Sequence, residues 1–133
     1  AAHGRGEYDR HTGINVGAEP YSTPTVHEIG HWLEQSAPQV LRTAVRWRNG
    51  RASSLRPAQI PGYRVGEMAL PGPWRIRYVG KVCRNRRGDD IATEVTSQGI
   101  AWLVDPNEGR QVLEGHPEHF GLVLATVLGR INP

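Results

Sequence analysis

The chain has 133 residues, 38% of them hydrophobic, a formal net charge of +3 and one cysteine. That length suits a single domain with a modest core and excludes the two-lobed build of a large peptidase. One cysteine rules out an internal disulfide framework and a cysteine-rich zinc site, and no apolar run approaches the ~18 residues of a membrane span, so no membrane partner is expected.

The charge is unevenly spread. Residues 42–87 hold eleven Arg and Lys81 against the single acid Glu67, whereas residues 88–119 hold seven acids against Arg110. A basic middle can meet nucleic acid or an acidic protein surface. No helix-turn-helix, zinc-knuckle or aromatic-platform pattern accompanies it, so a solvated face paired with the acidic segment is favoured over a nucleic-acid or scaffold contact. The chain opens on Ala without a signal-peptide pattern, as expected of a processed product or a domain cut from a longer polypeptide.

In chain order, the loose alternation over residues 7–16, with Tyr8, Gly13 and Ile14-Asn15-Val16, predicts two short strands or a hairpin, followed by a connection over 17–21. Thr23-Pro24 is a helix start, because Thr can cap free N–H groups and Pro is tolerated at the first helical position; the helix should cover residues 24–35. Ser36 and Pro38 begin a second helix, with Val40, Leu41, Ala44, Val45 and Trp47 at helical spacing, which Asn49-Gly50 ends. Trp32 and Trp47 are expected as core or interface aromatics.

Residues 51–73 are punctuated by Pro and Gly and predict an irregular loop anchored by Ile60, Tyr63, Val65 and Leu70. Trp74, Ile76, Tyr78 and Val82 alternate as a strand over 74–83, on which Cys83 would be a small apolar residue. Asp89 or Asp90 caps a helix carrying Ile91, Val95, Ile100 and Leu103 until Asp105-Pro106 stops it. His116-Pro117 opens a last helix with the stripe Phe120, Val123, Leu124, Val127 and Leu128, ended by Gly129. These elements predict an α+β fold.

The chemistry concentrates in the first helix, where His27-Glu28-Ile29-Gly30-His31 spells H-E-x-x-H. Residues four apart lie one turn above each other, so His27 and His31 can converge on one tetrahedral zinc ion, Zn2+. Glu28, next to a ligand, is placed to take a proton from a metal-activated water that attacks a peptide carbonyl. Gly30 implies close packing under the metal, since it costs the helix roughly 1 kcal/mol relative to Ala. Glu34 reads as an ordinary exposed or ion-paired acid.

A catalytic site needs a third protein ligand. Glu94, His116, His119, Asp105, His3 and His11 are the candidates, and Glu94 is favoured because a capped helix can hold a carboxylate rigidly. An oxyanion donor is also required, with Tyr78 first and His119 and Tyr63 as alternatives.

The segment Glu94-Val95-Thr96-Ser97-Gln98 resembles the second motif of thermolysin-type gluzincins, with Gln98 in place of an Asp that orients a ligating His. More of the chain is similar to the zincin-like domains of tailed-phage and prophage head-morphogenesis, or minor head, proteins. The shared features, in order, are His27 to Glu34 as H-E-x-G-H-W-x-E, Tyr78-Val79-Gly80-Lys81, Ala92-Thr93-Glu94 with Ser97 and Gly99, and Pro117-Glu118-His119-Phe120. That resemblance implies a small zincin-like metallopeptidase fold with short N-terminal strands, an H-E-x-x-H helix, a second glutamate helix and a C-terminal helix. It implies His27, His31 and Glu94 on zinc, and a peptide or protein substrate. Phage structural proteins would be partners, in a host cytoplasm or on a virion. The rival expectation is a structural metal-binding module of a phage head protein, closed by a fourth ligand such as His119.

Overall fold

Helix α1 runs Thr23–Ser36, one residue longer at each end than the Thr23-Pro24 start and helical spacing predict, and α2 follows at Pro38–Arg51 after the single residue Ala37. Pro38 stands in the first turn of α2, where a missing N–H costs nothing. The structure, a computed structural model, describes residues 7–9, 13–15 and 23–131, with side chains from residue 25 onward. The connection expected over 17–21, capping by the Thr23 side chain, and the alternative ligands His3 and His11 lie outside the described residues.

Ahead of α1 are the two short strands that the alternation predicts, β1 (Glu7–Asp9) and β2 (Gly13–Asn15); they pair antiparallel with Tyr8 opposite Ile14, and the ribbon lies against α1. Helices and small two-stranded antiparallel sheets thus make the chain α+β.

Residues 51–73 are more ordered than predicted. β3 (Ala58–Gln59) and β4 (Met68–Ala69) form a short hairpin anchored by the buried Ile60 and Leu70. Tyr63 and Val65 are not anchors: Val65 is 98% exposed, and the half-exposed Tyr63 stacks on Tyr78 with ring centroids 5.2 Å apart. Nor is there a strand from Trp74 onward. The indole of Trp74 is clamped between Gly72 and Gly80, at either of which a Cβ would come within 2.5 Å of it, and its Nε1–H donates to the Leu70 carbonyl at 2.8 Å. Holding the ring there bends the chain, so Arg77–Gly80 forms a 3-10 turn; pairing resumes with an antiparallel bridge from Lys81 to Ala69 of β4, and then in β5 (Cys83–Arg84). Tyr78 therefore sits on a tight turn, and Cys83 is exposed.

Asp90 does not cap a helix. It lies in β6 (Asp90–Ala92), antiparallel to β5, and its Oδ1 accepts from Nη2 of the fully buried Arg48 at 2.9 Å. Arg48 donates as well to Asn49 Oδ1 and the Lys81 carbonyl. A buried guanidinium needs its counter-charge more than a helix needs a cap. Helix α3 accordingly starts late, at Val95–Leu103, and Ile91 is exposed. We expect Asp90→Ala to cost about 3 kcal/mol of unfolding free energy, because it leaves the cation buried against neutral acceptors; Asp90→Asn should cost less. Urea unfolding of both variants measures the difference, and equal losses would mean that the charge adds nothing to the hydrogen bond.

Other cations of the basic middle also meet the acidic segment, in the pairs Arg51–Glu118, Arg75–Glu108 and Arg84–Asp90. Asp105-Pro106, expected only to stop a helix, also begins one: in α4 (Pro106–Gly115) the Asp105 carboxylate accepts from the N–H groups of Asn107 and Glu108 at 2.9 and 3.0 Å. Helix α5 spans Pro117–Val127, with no side-chain cap from His116. Gly129 adopts φ 68° and closes α5, its own N–H bonding Thr126 and that of Arg130 bonding Ala125. Of the predicted stripe, Val123 is buried, while Leu124, Val127 and Leu128 remain exposed.

Ala44, Val79 and Val95 form the centre of the core, ringed by Trp47, Trp74, Trp102 and Leu122; Trp32 is instead 44% exposed. Helix α1 packs on α3 so closely that a Cβ on Gly30 would stand 2.4 Å from Ser97 Cα. This contact carries the motif helix to Glu94.

Candidate metal centre

His27, His31 and Glu34 recur at positions i, i+4 and i+7 of α1, so one stripe of the helix presents two imidazoles and a carboxylate. Glu94 stands opposite, at the N-cap position of α3, with φ −98° and ψ 0°. It was expected inside a helix, but the late start of α3 leaves it at the junction of β6 and α3.

The four side chains singled out by the motif and the third-ligand search come together. His27 Nε2 lies 3.2 Å from His31 Nε2 and 2.9 Å from Glu94 Oε2, and His31 Nε2 lies 3.3 Å from Glu94 Oε1. Ligands at zinc distances of about 2.0–2.1 Å stand about 3.3 Å apart in a tetrahedron, so these side chains fit a zinc ion. One potential ligand atom from each of His27, Glu28 and His31 also falls within 4.8 Å of the others. The Glu94 carboxylate touches both imidazoles. Glu28, 6% exposed, joins His31, Glu94, Lys81 and Cys83 in lining a cavity of ≈ 250 Å³.

The electrostatics suit cation binding. Burial opposes the charge on Glu94, but hydrogen bonds from His27 and His31 outweigh it and hold the carboxyl well below the usual range. Burial likewise opposes the charge on His31, yet the bond to Glu94 and the nearby carboxylates leave its pKa raised. The Ser97 hydroxyl donates to Glu94 Oε2 at 2.9 Å, holding the oxygen that also faces His27.

Tyr78 is near enough for the Glu94 charge to act on it; burial first, and that charge second, push its phenol up to about 12. Lys81 Nζ donates to Glu67 Oε1 at 3.1 Å and to the Tyr78 hydroxyl at 3.4 Å. The alternatives lie elsewhere. His119 is buried among Trp47, Trp102 and α3, its Nε2–H donating to the Val95 carbonyl at 2.8 Å; Asp105 caps α4, and His116 sits between α4 and α5.

Two residues near the site went unassigned in the sequence. Lys81 lines the cavity, and only its place in the Tyr78-to-Lys81 motif hinted at this. Glu34 is no surface acid: it is 1% exposed, with Oε1 accepting the Thr93 N–H at 2.7 Å and Oε2 accepting the Thr93 hydroxyl. Its helical register with His27 and His31 was the available signal. No protein-family model, curated protein or solved structure matches this chain.

Proposed function

We propose that this chain is a small zincin-like metallopeptidase domain of the gluzincin type, related to the head-morphogenesis proteins of tailed phages and acting on a peptide or protein substrate, with phage structural proteins among its partners. The observation that supports it most is the convergence of His27 Nε2, His31 Nε2 and the Glu94 carboxylate, whose Oε2 faces His27 and whose Oε1 faces His31 at spacings near those of zinc ligands, beside a cavity that also holds Glu28. His27, His31 and Glu94 would hold the metal. Zinc, when bound, supplies Lewis acidity and lowers the pKa of a coordinated water to about 7.

The chain's own groups do the rest. Glu28 takes the proton from the attacking water and returns it to the leaving amine as the peptide bond breaks. A phenol with a pKa of about 12 keeps its proton at neutral pH, so Tyr78, accepting from Lys81, retains an O–H to donate to the developing oxyanion. A structural zinc site would need a fourth protein ligand, and His119, the expected one, is committed to the Val95 carbonyl.

Elemental analysis tests the reading. We expect one zinc per chain in the wild type, lost from His27→Ala/His31→Ala and from Glu94→Ala. Cys83→Ser, which alters a thiol on the cavity wall, should keep its zinc. No metal in the wild type after reconstitution with zinc defeats the proposal, and loss from Cys83→Ser would favour a closed, structural site.

A further inference from the structure

The Ser97 hydroxyl holds one oxygen of Glu94, but the residue's backbone stands where strand changes to helix. It follows β6 as the N-cap of α3, its carbonyl accepting the Gln98 N–H at 3.0 Å, and its side chain makes no cap bond to the helix N–H groups. A carboxylate at such a junction must be aimed by its neighbours, and a loose ligand loses metal affinity. Two side chains from the last turns of α1 grip the segment that delivers it. Gln35 Nε2 donates to the Ile91 carbonyl at 2.6 Å, and Glu34 accepts both the N–H and the hydroxyl of Thr93, the residue before Glu94.

Glu34 is nearly inaccessible, and a buried carboxylate is costly unless its oxygens are hydrogen-bonded. Both of its oxygens accept from Thr93, and the Thr96 side chain adds a further hydrogen bond. The Thr93 hydroxyl in turn accepts the Val95 N–H at 3.2 Å, so one side chain ties α1 to the residues on either side of Glu94. We propose that Glu34 is the positioning residue of the metal centre: by gripping Thr93 it presets the Glu94 carboxylate opposite His27 and His31.

This inference rests on the metal reading of the site, and its test separates the two. Zinc affinity is measured by competition with a chromogenic chelator, and the unfolding midpoint of each metal-free variant is measured beside it. Glu34→Ala should bind zinc roughly 10- to 100-fold more weakly at a temperature where it is folded. Glu34→Gln should stay near wild type, since its amide can accept from the Thr93 N–H and donate to the hydroxyl. Thr93→Val should lose affinity and Thr93→Ser keep it.

A merely structural Glu34 would lower the unfolding midpoint and leave zinc affinity unchanged; that result in Glu34→Ala overturns the proposal. Should Glu34→Ala fail to fold, Thr93→Val decides, and wild-type affinity there overturns it equally. A wild type that binds no zinc removes the metal reading itself, and the positioning role with it.

Discussion

Glu28→Gln is expected to hold zinc at the wild-type stoichiometry and to hydrolyse peptides about 10²- to 10⁴-fold more slowly, the usual range for loss of a general base. The substitution changes little else. Gln has almost the volume of Glu, so the buried position stays filled, and the imidazoles of His27 and His31 on α1 are untouched. It lacks only a site basic enough to carry a proton from water to the leaving amine. Metal content and kcat/KM on a peptide cleaved by the wild type are the paired measurements. Turnover within tenfold of wild type would mean that Glu28 is not the base.

Gly30→Ala should damage both stability and metal binding. A Cβ there would lie 2.4 Å from Ser97 Cα and 2.7 Å from Ser97 N, both backbone atoms of α3 that no rotamer change can move aside. Ala would improve the propensity of α1 by roughly 1 kcal/mol, but forced overpacking costs about 1–3 kcal/mol and occasionally more. With rigid backbone as the obstacle, we expect a net loss of roughly 2 kcal/mol. To relieve the contact, α1 and α3 must separate, which pulls His27 and His31 away from Glu94 and should weaken zinc binding more than tenfold. Urea unfolding of the metal-free protein and a zinc titration check the two effects separately. A variant with wild-type values in both would show that the helices can part without disturbing the centre.

Elements written in local signals were legible in the sequence. Thr23-Pro24, Pro38 and Pro117 place α1, α2 and α5 because a proline in a first turn acts through its own ring and nothing distant. Asp105-Pro106 was legible but ambiguous: the pair stops one helix and, with Asp105 as cap, starts another. The failures were tertiary. Alternation predicted a strand at Trp74, but the indole lodged between two glycines turns the chain; Asp90 looked like a cap, but a buried Arg48 claims it.

The candidate site divides along the same line. His27, Glu28 and His31 follow from helical spacing, and Glu94 from its motif. Its junction position, and the burial of Glu34, depend on where α3 docks, which no local pattern states.

The contact between Gly30 and Ser97 also sets a timetable. Glu94 is synthesised about sixty residues after His31, an interval of roughly 3–12 s at 5–20 residues per second. Throughout that interval the growing chain carries two imidazoles and a glycine notch with nothing to receive them, and the carboxyl of Glu34 has no threonine to bind. The Glu94 carboxylate can meet the two imidazoles only once α3 has been made and docked on α1, and a parting of those two helices would separate them again.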